Sequence, residues 1–382
     1  MLQKLLNAIL KPYYAILFPV LLSLFAWLVP DSWINVRGFG KKESFGTNAF
    51  GILLSWYFFA IISSFFFFYL GKKNPQFKKF NKIVSIDNIK PYLLFTLIAW
   101  TGFIASFYKI ISSVGLSSLY LILFVDHQGN KTEQILYENY SIGILSLRYV
   151  LILTFGISLY RLQIFKEYKL VNFLNIIFFI IYTAVLGRRL QVIFGLVVYL
   201  SLANSNGNLL KLIKAKYIYL SFFLITSLVI VATTVRNYNT FKEKGSTNVF
   251  SATLDNIIEY LGPPMQVTFS IANNIDKAIQ GRSYWEYTNV GRSLTTNSAF
   301  SELIIEWGWW SYFYSIIVCG FWSYIAGWAY KNKYNYLFII YPIIIYAFLE
   351  YWRINLFSTG IFSTLMYIGI LVPIVLVVLN KK

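Results

Sequence analysis

Apolar runs long enough to cross a bilayer recur from one end of this 382-residue chain to the other. A helix needs about 20 apolar residues to span the hydrocarbon. There the backbone has no water to bond, so each run must close its own hydrogen bonds as a helix or within a closed barrel. The runs are continuous rather than alternating, which selects helices over a barrel. Spans are expected near residues 13–30, 49–70, 91–111, 141–160, 170–187, 190–204, 216–235, 303–329, 335–350 and 355–379. The fold class is therefore all-α: a polytopic integral membrane helical bundle of about ten transmembrane helices. It forms a single transmembrane domain over residues 1–382. A composition with 58% hydrophobic and 13% charged residues agrees, and 20% aromatics suit interfacial belts.

Orientation follows from Lys and Arg in the short connections. One side collects Lys4, Lys11, Lys72, Lys73, Lys78, Lys79, Lys82, Lys90, Arg161, Lys166, Lys169, Lys211, Lys214, Lys216, Lys331, Lys333, Lys381 and Lys382. That is 18 of the 33 basic residues, against two acids, Asp87 and Glu167. This side is expected to be cytoplasmic, with both termini inside. The remainder holds 33 − 18 = 15 basic and 15 − 2 = 13 acidic residues, so +16 of the net +18 lies on one face. The excess is a topology signal, with a minor role in holding anionic lipid as the second reading; no nucleic-acid partner is expected, and the bilayer is the expected partner.

Arginine is distributed differently from lysine. Eight of nine arginines fall off the lysine-rich side: Arg37, Arg148, Arg188, Arg189, Arg236, Arg282, Arg292 and Arg353. Lysine would satisfy topology equally well. Arginine's planar fork suits phosphate or carboxylate held by two parallel hydrogen bonds. An anionic ligand at the outer leaflet is one reading; pairing with outer carboxylates or snorkelling to headgroups is the other. Gly187-Arg188-Arg189 stands between two apolar runs with almost no loop, and Arg148 falls inside a span and needs a partner. Glu350 and Arg353 are spaced for a helical ion pair.

The largest outer connection, residues 236–300, is far longer than an ordinary loop and is expected to contain short helices, one from Val249 to Leu261 before Gly262-Pro263-Pro264. It ends at Asn297-Ser298-Ala299-Phe300-Ser301-Glu302-Leu303-Ile304-Ile305-Glu306-Trp307-Gly308. Glu302 and Glu306, four residues apart, share one helical face. Glu302 suits the helix dipole, with Asn297 or Ser298 capping. Glu306 is expected a turn deeper, desolvated, as a base or a partner for an arginine. Tyr284, Trp285, Tyr287, Trp307, Trp309 and Trp310 could stack on sugars or form an interfacial belt.

Soluble-enzyme fingerprints for nucleotide or zinc chemistry are missing. One histidine, His127, and one cysteine, Cys319, do not supply an ordinary transition-metal site, and no metal or cofactor is expected.

The run Asn297 to Gly308, after a large outer loop, resembles the O-antigen polymerase and ligase superfamily. Gly187-Arg188-Arg189 at a helix hairpin resembles a recurring feature of the oligosaccharide repeat-unit polymerases (Wzy type). The resemblance implies an inverting membrane glycosyltransferase at the outer face of a bacterial inner membrane. Its substrate would be an undecaprenyl-pyrophosphate-linked oligosaccharide, with the growing chain transferred to the next lipid-linked repeat. Glu306 and Glu302 would carry the chemistry. Arg188 and Arg189 match the family's arginines and would hold pyrophosphate; Arg236, Arg282, Arg292, Arg353 and Arg148 join them as pyrophosphate or substrate ligands on their distribution alone. A chain-length regulator protein is a further partner the family allows. Many ligases have histidine before the asparagine of this helix, where this chain has Thr296; that favours polymerase over ligase. A lipid-linked glycan flippase is the rival from another class, and internal repeats of the kind such transporters show are not evident.

Overall fold

The computed structural model describes residues 8–33, 38–74, 84–117, 136, 143–186, 189–205, 245, 248–281, 283, 286–290 and 297–379. Its principal helices are α1 (Pro12–Leu28), α2 (Thr47–Lys73), α3 (Ile89–Val114), α4 (Val150–Ile164), α5 (Lys169–Leu186), α6 (Arg189–Ser205), α7 (Val249–Asn273), α8 (Ile275–Ile279), α9 (Ala299–Trp307), α10 (Trp310–Lys331), α11 (Ile340–Leu349) and α12 (Gly360–Leu379). Every expected span meets a helix except 216–235, which lies outside the described residues. Among the described residues five stretches are long and apolar enough to cross a membrane: α2, α3, Ile144–Ile164, α5 and α12. Pro12–Leu28, Gln191–Ser205 and Tyr336–Leu349 are apolar but shorter. The described chain is thus all-helical and carries helices of membrane-spanning length.

It divides into two compact units. The first comprises Met1–Asn74, Tyr219–Trp328 and Ile344–Ser358; the second comprises Pro75–Ile218, Ala329–Ile343 and Thr359–Lys382.

In the first unit α7 packs against α1 and α2. Here the structure corrects the expectation that the helix from Val249 ends at Leu261. The helix does not stop at Gly262-Pro263-Pro264 but runs 25 residues through it. Each proline removes a backbone donor and would ordinarily break the helix. Burial offsets that cost: residues 262–272 are all buried. Ser23 on α1 donates to the Leu261 carbonyl at 2.7 Å, beside the interrupted turn. One turn on, the fully buried Gln266 binds the incoming chain. Its Oε1 accepts from Trp27 Nε1 at 2.6 Å and from the Glu43 backbone N–H at 3.1 Å, while its Nε2 donates to the Lys41 carbonyl at 3.0 Å.

α2 and α10 meet backbone to backbone. A Cβ on Gly71 would lie 2.0 Å from the Tyr324 carbonyl oxygen, and one on Gly327 would lie 2.1 Å from that of Phe68. Ser63 Oγ donates to the Ile316 carbonyl at 2.7 Å along the same seam. Helices in lipid associate through such close packing and interhelical hydrogen bonds, because lipid is as apolar as leucine.

In the second unit α4 is the central helix, with residues 150–158 buried. Its Gly156 faces the Gly195 carbonyl of α6, and Phe155 stacks on Phe179 of α5 at 4.1 Å. A buried polar cluster ties α3, α4 and α5 together. The Tyr92 hydroxyl reaches Ser158 Oγ at 2.8 Å and donates to Asn172 Oδ1. Asn175 donates to Tyr92 and Thr96 and accepts from Trp100 Nε1 at 2.8 Å.

Replacing Gly327 with alanine is expected to cost about 1–3 kcal/mol, the range for overpacking a tight contact. Gly51→Ala on α2, where a Cβ meets nothing within 4 Å, is expected to be neutral or to gain up to about 1 kcal/mol from helix propensity. Thermal unfolding of both variants in detergent checks the pair.

Candidate functional site

The first unit gathers several of its charges around α9. Ser298 caps this helix, its Oγ accepting from the Ser301 N–H at 3.0 Å. Thr268 of α7 donates to the same Oγ at 2.8 Å, so the helix start is tied to the buried half of α7. Phe300, Leu303 and Ile304 are buried and set the rotation of α9. The helix ends at Trp307 because Gly308 takes φ 56°, ψ −135°, a conformation open mainly to glycine. The expected single span over 303–329 is therefore broken, and α10 begins afresh at Trp310.

That rotation turns Glu302 inward and Glu306 outward, the reverse of the depths expected. Glu302 is half-buried, and its Oε2 accepts from the Asn355 backbone N–H at 3.0 Å. Glu306 is exposed. The sequence reading placed Glu306 deeper because it lies further along an apolar run; it did not allow for the chain turning at Gly308.

Asn355 stands in the turn after α11, which also carries the expected ion pair. Glu350 is buried, and its Oε2 accepts from both Nε and Nη2 of Arg353, at 3.1 and 2.9 Å. The guanidinium lies over the Tyr260 ring, 5.5 Å from its centroid. Burial opposes the Arg353 charge, but the Glu350 carboxylate together with Tyr260 and Tyr346 more than offsets it, and the group stays protonated. Burial also pushes the Glu302 carboxyl above its ordinary value, and the charge of Glu306 pushes the same way; the Asn355 N–H and Arg353 pull it partly back. Three carboxylates and one arginine therefore share a neighbourhood in which one acid is tuned upward and another is tied to the cation. The Asn355 Oδ1 is buried with no hydrogen-bond partner, an acceptor left open next to Glu302.

Beyond Gly308, Trp307, Trp310, Phe313, Tyr314, Ile317 and Val318 line an open groove of about 450 Å³. Its walls are almost wholly apolar, which suits a hydrocarbon chain better than a sugar.

The other expected ligand groups are not part of this cluster. Arg148 belongs to the second unit and is buried in its own short 3-10 turn, Ile144–Tyr149. Its Nη1 donates to the Leu145 carbonyl at 2.7 Å and its Nη2 to the Tyr149 hydroxyl at 3.1 Å, so it serves local structure. Arg189 begins α6. Arg188, Arg236, Arg282 and Arg292 lie outside the described residues, as do His127, Tyr284, Trp285 and Thr296. Sequence reasoning missed Asn355 and Tyr260. The signal available for Asn355 was its place two residues after Arg353, in a short break between apolar runs. The chain matches no family model, no curated protein and no solved structure.

Two outcomes follow for stability. Because the folded state holds the Glu302 proton more tightly than the unfolded chain, its contribution is fully present below the ordinary value of 4.5 and is lost as pH rises through the raised one. Glu302→Gln should therefore match or exceed the wild type at pH 7, and the wild type should gain on it as pH is lowered toward 4.5; unfolding in detergent across that range reads the difference. Arg353→Met should cost about 3–5 kcal/mol by leaving the Glu350 carboxylate buried without its cation. Adding Glu350→Gln should recover most of the loss.

Proposed function

We propose that this chain is a membrane glycosyltransferase that polymerises undecaprenyl-pyrophosphate-linked oligosaccharide repeat units. In this reading it lies in a bacterial inner membrane, crosses it about ten times with both termini cytoplasmic, and works at the outer face. The observation that carries the proposal is the upward-tuned Glu302, within a cluster that also holds Glu306, Glu350 and Arg353 at the mouth of α9. The motif resemblance of Asn297 to Gly308 and of Gly187-Arg188-Arg189 supplies the substrate class.

The chemistry asks for little. Glu302 takes the proton of the acceptor hydroxyl. The hydroxyl oxygen then bonds to the anomeric carbon of the donor as the bond to the lipid pyrophosphate breaks, with inversion. The pyrophosphate leaves with the electron pair. A base works best when its pKa lies near the working pH, and burial moves Glu302 in that direction. Leaving-group charge is met by preorganised cations. Arg353 is the described candidate, and the resemblance adds Arg188 and Arg189. Glu306 supports the upward shift of Glu302 through its charge rather than acting as the base.

In cells producing the surface glycan, Glu302→Gln and Arg353→Lys are expected to collapse the chain-length ladder to single repeats, by about 100-fold or more in polymer, with protein levels maintained. Glu306→Gln should be milder. An intact ladder in Glu302→Gln removes the proposal. Repeat units stranded on the inner leaflet when the gene is deleted would instead indicate a flippase.

A further inference from the structure

The sequence placed Arg161 on the lysine-rich side and gave it no role beyond topology, yet it is the most deeply buried cation described. It lies on α4 in the second unit at 0% exposure. Its guanidinium stands over Phe165 at 4.7 Å and Tyr92 at 5.5 Å. One nitrogen is used: Nη1 donates to the Ile86 carbonyl at 3.0 Å and reaches the Tyr336 hydroxyl at 3.4 Å. Nε and Nη2 are buried and have no hydrogen-bond acceptor. The nearest carboxylate oxygen, Glu167 Oε2, stops at 3.8 Å from Nη2, and that side chain is 61% exposed. A buried guanidinium with two unfilled donors costs several kcal/mol unless an anion completes it.

The chain that follows Arg161 is basic and tightly turned. Residues 165–168 join α4 to α5 in a tight turn in which Lys166 and Tyr168, neither a glycine, take φ 56° and 48°. The turn is pinned at both ends. Lys166 N–H donates to the Arg161 carbonyl at 3.0 Å, and Asn172 Nδ2 donates to the Glu167 carbonyl at 2.8 Å. Lys166 in the turn and Lys169 at the start of α5 flank Glu167, the only acid there.

We propose that Arg161, with Lys166 and Lys169, forms a binding site for a phosphate group, and that Glu167 is its internal stand-in, displaced when the ligand enters. The chemistry is that of a phosphate mono- or diester: tetrahedral oxygens can fill Nε and Nη2 together, which the Glu167 carboxylate does not. A lipid headgroup and free phosphate share that chemistry. The site does not depend on the glycosyltransferase reading.

The test uses the full chain purified in a zwitterionic detergent, with the thermal midpoint followed as phosphatidylglycerol, diacylglycerol or inorganic phosphate is added. Phosphatidylglycerol is expected to raise the midpoint in a saturable way and diacylglycerol to leave it unchanged. A matching rise with inorganic phosphate identifies a general phosphate site; its failure identifies a lipid headgroup. Glu167→Gln should strengthen the response, and the pair Lys166→Gln and Lys169→Gln should weaken it about tenfold. Arg161→Lys, which keeps the charge and loses the fork, should abolish saturation; if it does not fold, the lysine pair still decides. The control pair Lys72→Gln and Lys73→Gln on α2 should change nothing. The site is refuted if the control weakens the response equally, if diacylglycerol stabilises as well, or if Glu167→Gln lowers the midpoint without altering the response.

Discussion

A backbone in hydrocarbon must satisfy its own hydrogen bonds, and that constraint organises this molecule. Where a helix is continuous the requirement is met within the segment. Close to several interruptions a polar side chain also bonds a backbone group. Ser23 serves the Leu261 carbonyl beside the Pro263-Pro264 interruption. Arg148 serves the Leu145 carbonyl in the turn that precedes α4. Arg161 serves the Ile86 carbonyl ahead of α3. Glu302 serves the Asn355 N–H in the turn after α11. Among these, Arg161 and Glu302 stand out. Arg161 has open donors, and Glu302 is held partly out of water with its proton affinity raised.

The same constraint explains what could be seen in the sequence. Long apolar runs located the helices because only helices solve the backbone problem in lipid, and α2, α3, α5 and α12 lie close to where the runs placed them. The Ser298 cap and the Glu350–Arg353 pair were also legible, because both are local patterns of three residues. Tertiary compensation was not. Gly262-Pro263-Pro264 resembles a helix end until its burial is known. Gln266 gives no local sign that it will clamp the Lys41–Glu43 segment from the middle of α7.

The two glutamates show the limit most clearly. Position along an apolar run measures depth only if the helix continues, and here the chain turns at Gly308. A helix of nine residues has its rotation set by what its apolar side packs on, namely Phe300, Leu303 and Ile304. With those buried, the acid in the first turn faces the Asn355 turn and the one nearer the break is left outside. Hydropathy alone ranked them in the opposite order.

Charge count ranked the arginines equally poorly. Seen from the sequence, Arg161 was the one arginine with an ordinary reason to be where it is, since its side is rich in lysine. Arg148 looked anomalous because it fell inside a span. Folded, Arg148 bonds its own turn, whereas Arg161 is wedged between aromatic rings with two of its three nitrogens open. A topological explanation accounts for the sign of a charge on one side of a membrane. It does not account for burying that charge completely when a lysine at the surface would have served. In Arg161 the two buried nitrogens without an acceptor, rather than the sign of the charge, are what a ligand would answer.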